Sequence, residues 1–140
     1  MKTTLQITVP LLLAFFTLAA QADIVLVVSA KSSVGELSKQ QVSDLFLGKA
    51  TSFPDGKLAV PLDQAEGSPA RDEFHGKTTG KSSAQLKAYW AKQVFSGKGS
   101  PPKEVPGSSD VKKLVAENPS MIGYVDKSLL DASLKPVYNF

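Results

Sequence analysis

The spacing of apolar and polar residues changes several times along the chain, and each change marks an element. Ile24-Val25-Leu26-Val27-Val28 is an apolar, mostly β-branched run without alternation, which predicts a central strand covered on both faces. Ser38-Lys39-Gln40-Gln41 has the S-x-x-Q form of a capping box, and Val42, Leu45 and Phe46 follow at helical spacing, so a helix is expected that stops at Gly48. A turn at Pro54-Asp55-Gly56 leads to Leu58-Ala59-Val60-Pro61-Leu62, a strand in which Pro61 lacks a ladder donor and favours an edge or a strand end. Ser68-Pro69 is a strong helix start with Phe74 as its inward anchor, because serine caps well and proline at the first helical position gives up an amide that would be orphaned anyway.

Ser82-Ser83-Ala84-Gln85 repeats the capping box and opens what should be the longest helix. Leu86, Tyr89, Trp90, Val94 and Phe95 lie roughly along one stripe of it, so Trp90 is expected in the core. The glycines and prolines from Gly97 to Gly107 read as a long surface loop. Ser109 is expected to cap a short helix carrying Val111, Leu114 and Val115 and ended by Asn118-Pro119, and two strands follow at Met121 to Val125 and Leu134 to Tyr138. Strands alternating with helices predict an α/β fold whose mixed, mostly parallel sheet is flanked by helices. Ligands in such folds gather at strand carboxyl ends and helix N-termini, which directs attention to Leu62 through Phe74.

The first 22 residues change the expected location. Lys2, the apolar run from Val9 to Ala20 and Ala20-Gln21-Ala22 have the order of a cleavable secretory signal. The expected product starts at Asp23, spans 23–140 as one domain and resides in the periplasm. The apolar run is shorter than the ~20 residues that span a bilayer, so no membrane insertion is expected after cleavage. The chain has no cysteine, which excludes a disulfide framework, a thiolate metal site and a cysteine nucleophile. Its net charge is +3, with lysines scattered among carboxylates, so nucleic acid is not an expected partner.

Little in the chain suggests catalysis. His75 is the only histidine and no paired-histidine spacing exists, so neither a metal, nor a cofactor, nor an enzyme is expected. Beside Gly76 at an expected helix end, His75 reads as a C-terminal capping residue, and Asp63 and Glu66 read as solvated loop acids. Gly67, Ser68 and the amides of Ala70 and Arg71 can form an anion site, since free N–H groups and the helix dipole converge there. Equally, Ser68 can simply cap the helix while Asp72 and Glu73 answer the dipole. Arg71 in a first turn opposes the dipole by a few tenths of a kcal/mol, which hints at use toward an anion or at a pair with Asp63 or Glu66.

Four segments together resemble a known family. Val27-Val28, Leu37 and Asp44-Leu45-Phe46-Leu47-Gly48-Lys49 with Phe53-Pro54-Asp55-Gly56 are similar to the "VV…L…IFxGKI…WxDG" run of phosphate-type periplasmic substrate-binding proteins of ABC transporters. Glu66-Gly67-Ser68 with Phe74 resembles the family's "RxDGSGT…F" phosphate loop, and Met121 to Val125 its "aIGYV" strand. The resemblance implies the second lobe of a type II periplasmic-binding-protein-like fold, with the first lobe absent. It places the phosphate-clamping arginine on Gln64, its carboxylate partner on Glu66, the second glycine on Pro69 and the threonine on Ala70. The expected function is exported solute binding, of phosphate or another small oxyanion, for an ABC transporter. The expected partners are a permease, or a second lobe or second copy. The alternative is an envelope accessory protein that keeps the lobe as a scaffold without a ligand.

Overall fold

The computed structural model describes residues 23–140. The apolar run and the cleavage motif lie outside the described residues. Five strands form one sheet: β1 (Ile24–Ser29), β2 (Val60–Gln64), β3 (Lys103–Val105), β4 (Met121–Asp126) and β5 (Leu134–Asn139), in the order β3-β2-β4-β1-β5. Four helices accompany them: α1 (Lys39–Phe46), α2 (Pro69–Lys77), α3 (Ser83–Phe95) and α4 (Ser108–Glu117).

β1 is buried at every position, as its unbroken apolar run requires. Ile24, Leu26 and Val28 join Val42, Leu45, Phe46, Phe74 and Tyr124 in a core beneath α1 and α2. Val25 and Val27 face the other way, toward Val111 and Val115 of α4. One strand thus serves two half-cores because its side chains alternate between faces. The sheet is mixed, and its pairings divide evenly: β2 runs parallel to β3 and β4, whereas β1 runs antiparallel to β4 and β5. A parallel majority is not reached because β1 inserts between β4 and β5 from the opposite end.

Local signals set most boundaries. Ser38 and Ser82 both form complete capping boxes with Gln41 and Gln85. α1 gives way at Gly48, whose φ of 70° is open to glycine and strained for other residues. Pro61 lies one residue before the β2–β3 pairing begins at Leu62, where its missing donor costs no ladder bond on that side.

Three expectations change. The loop expected from Gly97 to Gly107 contains β3, a short strand with only Val105 buried, held by parallel pairing to β2. α4 starts at Ser108, so Ser109 lies inside its first turn and is not the cap; the N-cap is Gly107, which has no side chain to offer, and the Ser108 hydroxyl accepts from Gln64 Nε2 and the Asp126 amide. In α3 only Leu86 is fully buried. Trp90 is half-buried over Gly48 rather than in the core, and Val94 and Phe95 are 55% and 96% exposed, because α3 leans on the chain just after α1, through Trp90 and the Tyr89 hydroxyl, and not along the sheet.

Gly123 in β4 faces α4 at very close range. A Cβ there would lie 2.5 Å from Cγ1 of Val111, a fully buried and β-branched side chain. Gly123→Ala is therefore expected to destabilise by about 1 to 3 kcal/mol, overcoming the ~0.4 to 1 kcal/mol that a glycine-to-alanine change contributes through the unfolded chain. Urea unfolding checks this; a variant as stable as the parent would mean that α4 can shift outward freely.

Candidate anion site

β2 delivers Asp63 and Gln64 to the carboxyl end of the sheet. The chain then turns through Ala65-Glu66-Gly67-Ser68, closed by a 3.0 Å bond from the Ser68 amide to the Ala65 carbonyl. Gly67 has φ of 86° at the third turn position, which a residue with a side chain rarely adopts. Ser68 follows as N-cap of α2 and its hydroxyl accepts from the Arg71 amide at 3.4 Å. Pro69 has no amide to satisfy, and the Ala70 amide has no hydrogen-bond partner among the described residues.

The Arg71 side chain folds back over this turn. Nη1 donates to the Gln64 carbonyl at 2.9 Å and to Glu104 Oε2 at 3.3 Å. Its Nε is buried with no partner among the described residues, and the side chain is 14% exposed. Arg71 pairs with neither Asp63 nor Glu66: the partner comes from β3. The other Glu104 oxygen accepts from the Glu66 amide at 3.3 Å, so one carboxylate already occupies two donors of the turn.

Gln64 sits where the resemblance puts a phosphate-clamping arginine, yet it is 2% exposed and turned inward. Its Nε2 donates to the Tyr124 carbonyl at 2.9 Å and to Ser108 Oγ at 3.1 Å, while Oε1 accepts from Ser68 Oγ at 3.4 Å. Gln64 thereby ties the N-termini of α2 and α4 together and leaves no polar atom free for a ligand. Gly67, Ser68, Ala70 and Arg71 all belong to the turn and first helical turn at the start of α2, and Gln64 braces that turn through Ser68 and the Arg71 side chain.

Directly beneath lies a polar cluster that differs from expectation. Asp63 is 4% exposed, not a solvated loop acid, because β2 runs through Gln64 and carries Asp63 into the core side. His75 is 1% exposed, not a helix-end cap on the surface: its Nε2 meets Asp63 Oδ2 at 2.8 Å and its Nδ1 meets Thr79 Oγ1 at 3.1 Å. A carboxylate only accepts, so Nε2 carries the proton. The Tyr124 hydroxyl donates to Asp63 Oδ1, which also accepts from the Gln64 amide at 3.0 Å. Burial alone would raise the Asp63 pKa, but the hydrogen bond and charge of His75, with Tyr124 and Arg71, outweigh it and hold the carboxyl below its usual range. Burial and the adjacent Asp63 charge push the Tyr124 hydroxyl well above its ordinary value, so it remains a donor. The only histidine is committed to this internal network, and among the described residues no group of His, Cys, Asp or Glu could hold a metal. Also among the described residues, no helix is long and apolar enough to cross a membrane.

Sequence reasoning missed Glu104 and Tyr124. Glu104 lies in a strand that tertiary pairing creates and has no local signal. Tyr124 had one: a tyrosine inside an apolar strand must find a partner for its hydroxyl.

Solved structures of other proteins share this fold. A protein from Clostridium perfringens, described as a phosphate ABC transporter substrate-binding protein and solved with bound phosphate, superposes with a TM-score of 0.65 at 25% identity, over 82% of this chain and 44% of its own. An ABC-type phosphate transport receptor from Vibrio cholerae gives 0.63 at 18% identity, over 82% of this chain and 45% of its own. The chain thus spans less than half the length of these neighbours. No family model matches the sequence, and no curated protein matches it.

Proposed function

Because this chain has the α/β fold of one lobe of the phosphate-type substrate-binding proteins of ABC transporters, we propose that it is an exported periplasmic protein that binds phosphate or a related small oxyanion at the N-terminus of α2. The observation that carries this reading is Arg71. Its buried Nε has no partner among the described residues, and the first turn of α2, which carries it, also offers the Ala70 amide, the Ser68 hydroxyl and the positive end of the helix dipole. An oxyanion there would take charge-assisted hydrogen bonds from Arg71 and Ala70, with Gly67 giving the backbone its close approach.

Affinity on this open surface should be low. Two or three charge-assisted bonds at about 1.5 to 3 kcal/mol each, against association costs of at least ~4 kcal/mol, leave a millimolar to high-micromolar Kd. A second lobe, a second copy or a transporter component closing over the site would exclude water and tighten it. Glu104 opposes the ligand, since its carboxylate already bonds Arg71 and the Glu66 amide.

Phosphate titration followed by amide chemical shifts tests the proposal, with sulfate and acetate in parallel. The Ala70 and Arg71 amides should move most, Arg71→Ala should weaken binding severalfold and also lower the melting temperature, since its guanidinium holds the Gln64 carbonyl and Glu104, and Glu104→Gln should strengthen binding severalfold. Absence of binding at tens of millimolar, or an Arg71→Ala variant that binds as the parent does, would favour the second reading: a scaffold in the cell envelope without a ligand. The inward turn of Gln64, where the resemblance puts a clamping arginine, favours that alternative.

A further inference from the structure

α3 carries a face that the rest of the fold does not use. Its inner side holds Leu86, Trp90 against Gly48, and Tyr89, whose hydroxyl donates to the Leu47 carbonyl at 2.6 Å. The outer side presents Ala84, Ala88, Ala91 and Phe95 at helical spacing, all exposed, and the Phe95 ring at its end is 96% exposed. Lys87 and Lys92 border this strip on its two flanks, and Lys98 follows just past the helix end.

Charge along this part of the chain is one-sided. From Phe74 to Lys103 there are six lysines and no carboxylate, while all 13 acidic residues lie elsewhere. Lys77 pairs with Glu73 at 2.8 Å and Lys81 sits 5.3 Å from the centre of the Tyr89 ring. Lys87, Lys92 and Lys98 have no carboxylate partner among the described residues.

We propose that this face of α3, with the Gly97–Gly99 turn, adsorbs to an anionic lipid bilayer, Phe95 entering the headgroup boundary while Lys87, Lys92 and Lys98 meet anionic headgroups. Charge complementarity selects the occupant. A second copy meeting the same face would set lysine against lysine. The convex helix with one projecting ring and long mobile cations suits a fluid surface, whose headgroups move to each lysine; a folded protein would need a fixed hollow for the ring. A lysine near an anionic bilayer raises partitioning about fivefold, so three give on the order of 100-fold, and Phe95 adds roughly tenfold. None of these residues belongs to the oxyanion site, so the two proposals stand or fall separately.

The test is co-sedimentation of residues 23–140, which contain the whole sheet and both half-cores, with vesicles of equimolar phosphatidylglycerol and phosphatidylcholine, and with phosphatidylcholine alone. Adsorption is expected to the mixed vesicles only and should be released by salt. Combined Lys87→Glu, Lys92→Glu and Lys98→Glu should lose it by 100-fold or more, and Phe95→Ser by about tenfold. Both variants should keep the parent's melting curve, because every altered side chain is exposed. A parent that stays in the supernatant with mixed vesicles overturns the proposal and leaves the face to an acidic protein partner. Either variant sedimenting as the parent does, or equal adsorption to neutral vesicles, overturns it as well.

Discussion

Asp63→Ala is expected to lower stability by about 3 to 5 kcal/mol, the scale on which one partner is removed from a buried, hydrogen-bonded pair. The reason lies in what stays behind. His75 Nε2, the Tyr124 hydroxyl and the Gln64 amide all donate to this carboxylate from positions with almost no solvent. Without it, His75 Nε2 and the Tyr124 hydroxyl, on side chains that fix α2 and β4, lose this acceptor, and the Gln64 amide is left with the Tyr124 oxygen at 3.0 Å. Against a typical stability of ~5 to 15 kcal/mol, the change would leave a small margin or none. Asp63→Asn retains one accepting oxygen and should cost less. It should also alter the acid side of the pH profile. The folded-state pKa of Asp63 is held below its ordinary 3.8, so its contribution is complete above that value and fades as pH falls through the lower, folded-state value. Parent stability should therefore decline on the acid side more steeply than that of Asp63→Asn. Urea midpoints near neutrality and below pH 4 measure both effects; equal midpoints for parent and Asp63→Ala near neutrality would show that the cluster is resolvated at no cost.

This cluster also marks where the sequence stops being informative. β1 was legible because a strand covered on both faces must be apolar at every position. The caps of α1, α2 and α3 were legible because serine, proline and glutamine act within three residues of where they stand. β3 was not, since Lys103-Glu104-Val105 between prolines has no strand signal until β2 supplies a parallel partner. The apolar spacing of α3 correctly indicated a helix, but periodicity cannot say whether another element covers Val94 and Phe95. For the proposed site, helix-start chemistry, which is local, singles out Gly67, Ser68, Ala70 and Arg71 as candidates. The roles of Gln64 and Glu104 depend on which strands flank β2, and burial of His75 depends on α2 lying over β2. Those are facts of topology, for which a single residue's neighbours in sequence carry no trace.

Phe74→Ala should have an effect of similar size, about 3 to 5 kcal/mol, through packing in place of polar satisfaction. Phe74 is fully buried and stacks on Tyr124 with ring centres 4.2 Å apart and planes 9° from parallel. It meets Phe46 at 4.5 Å and the His75 ring edge-on at 5.0 Å. The residual cavity would be ringed by stiff aromatic groups that cannot collapse into it, which sets the cost toward the upper end of that range. Phe74 and His75 are also the only fully buried residues of α2, and Arg71 lies one turn before Phe74 on the same side of the helix. Truncation should therefore loosen the whole helix and blur the Arg71 position, so that oxyanion binding weakens together with stability. Phe74→Leu, which keeps most of the volume, should restore much of both. Hydrogen exchange of the α2 amides beside a thermal melt separates the outcomes. Faster exchange confined to α2 at temperatures where the sheet is still protected is the expected result, and unchanged exchange in Phe74→Ala would mean that Asp63 and His75 alone hold the helix in place.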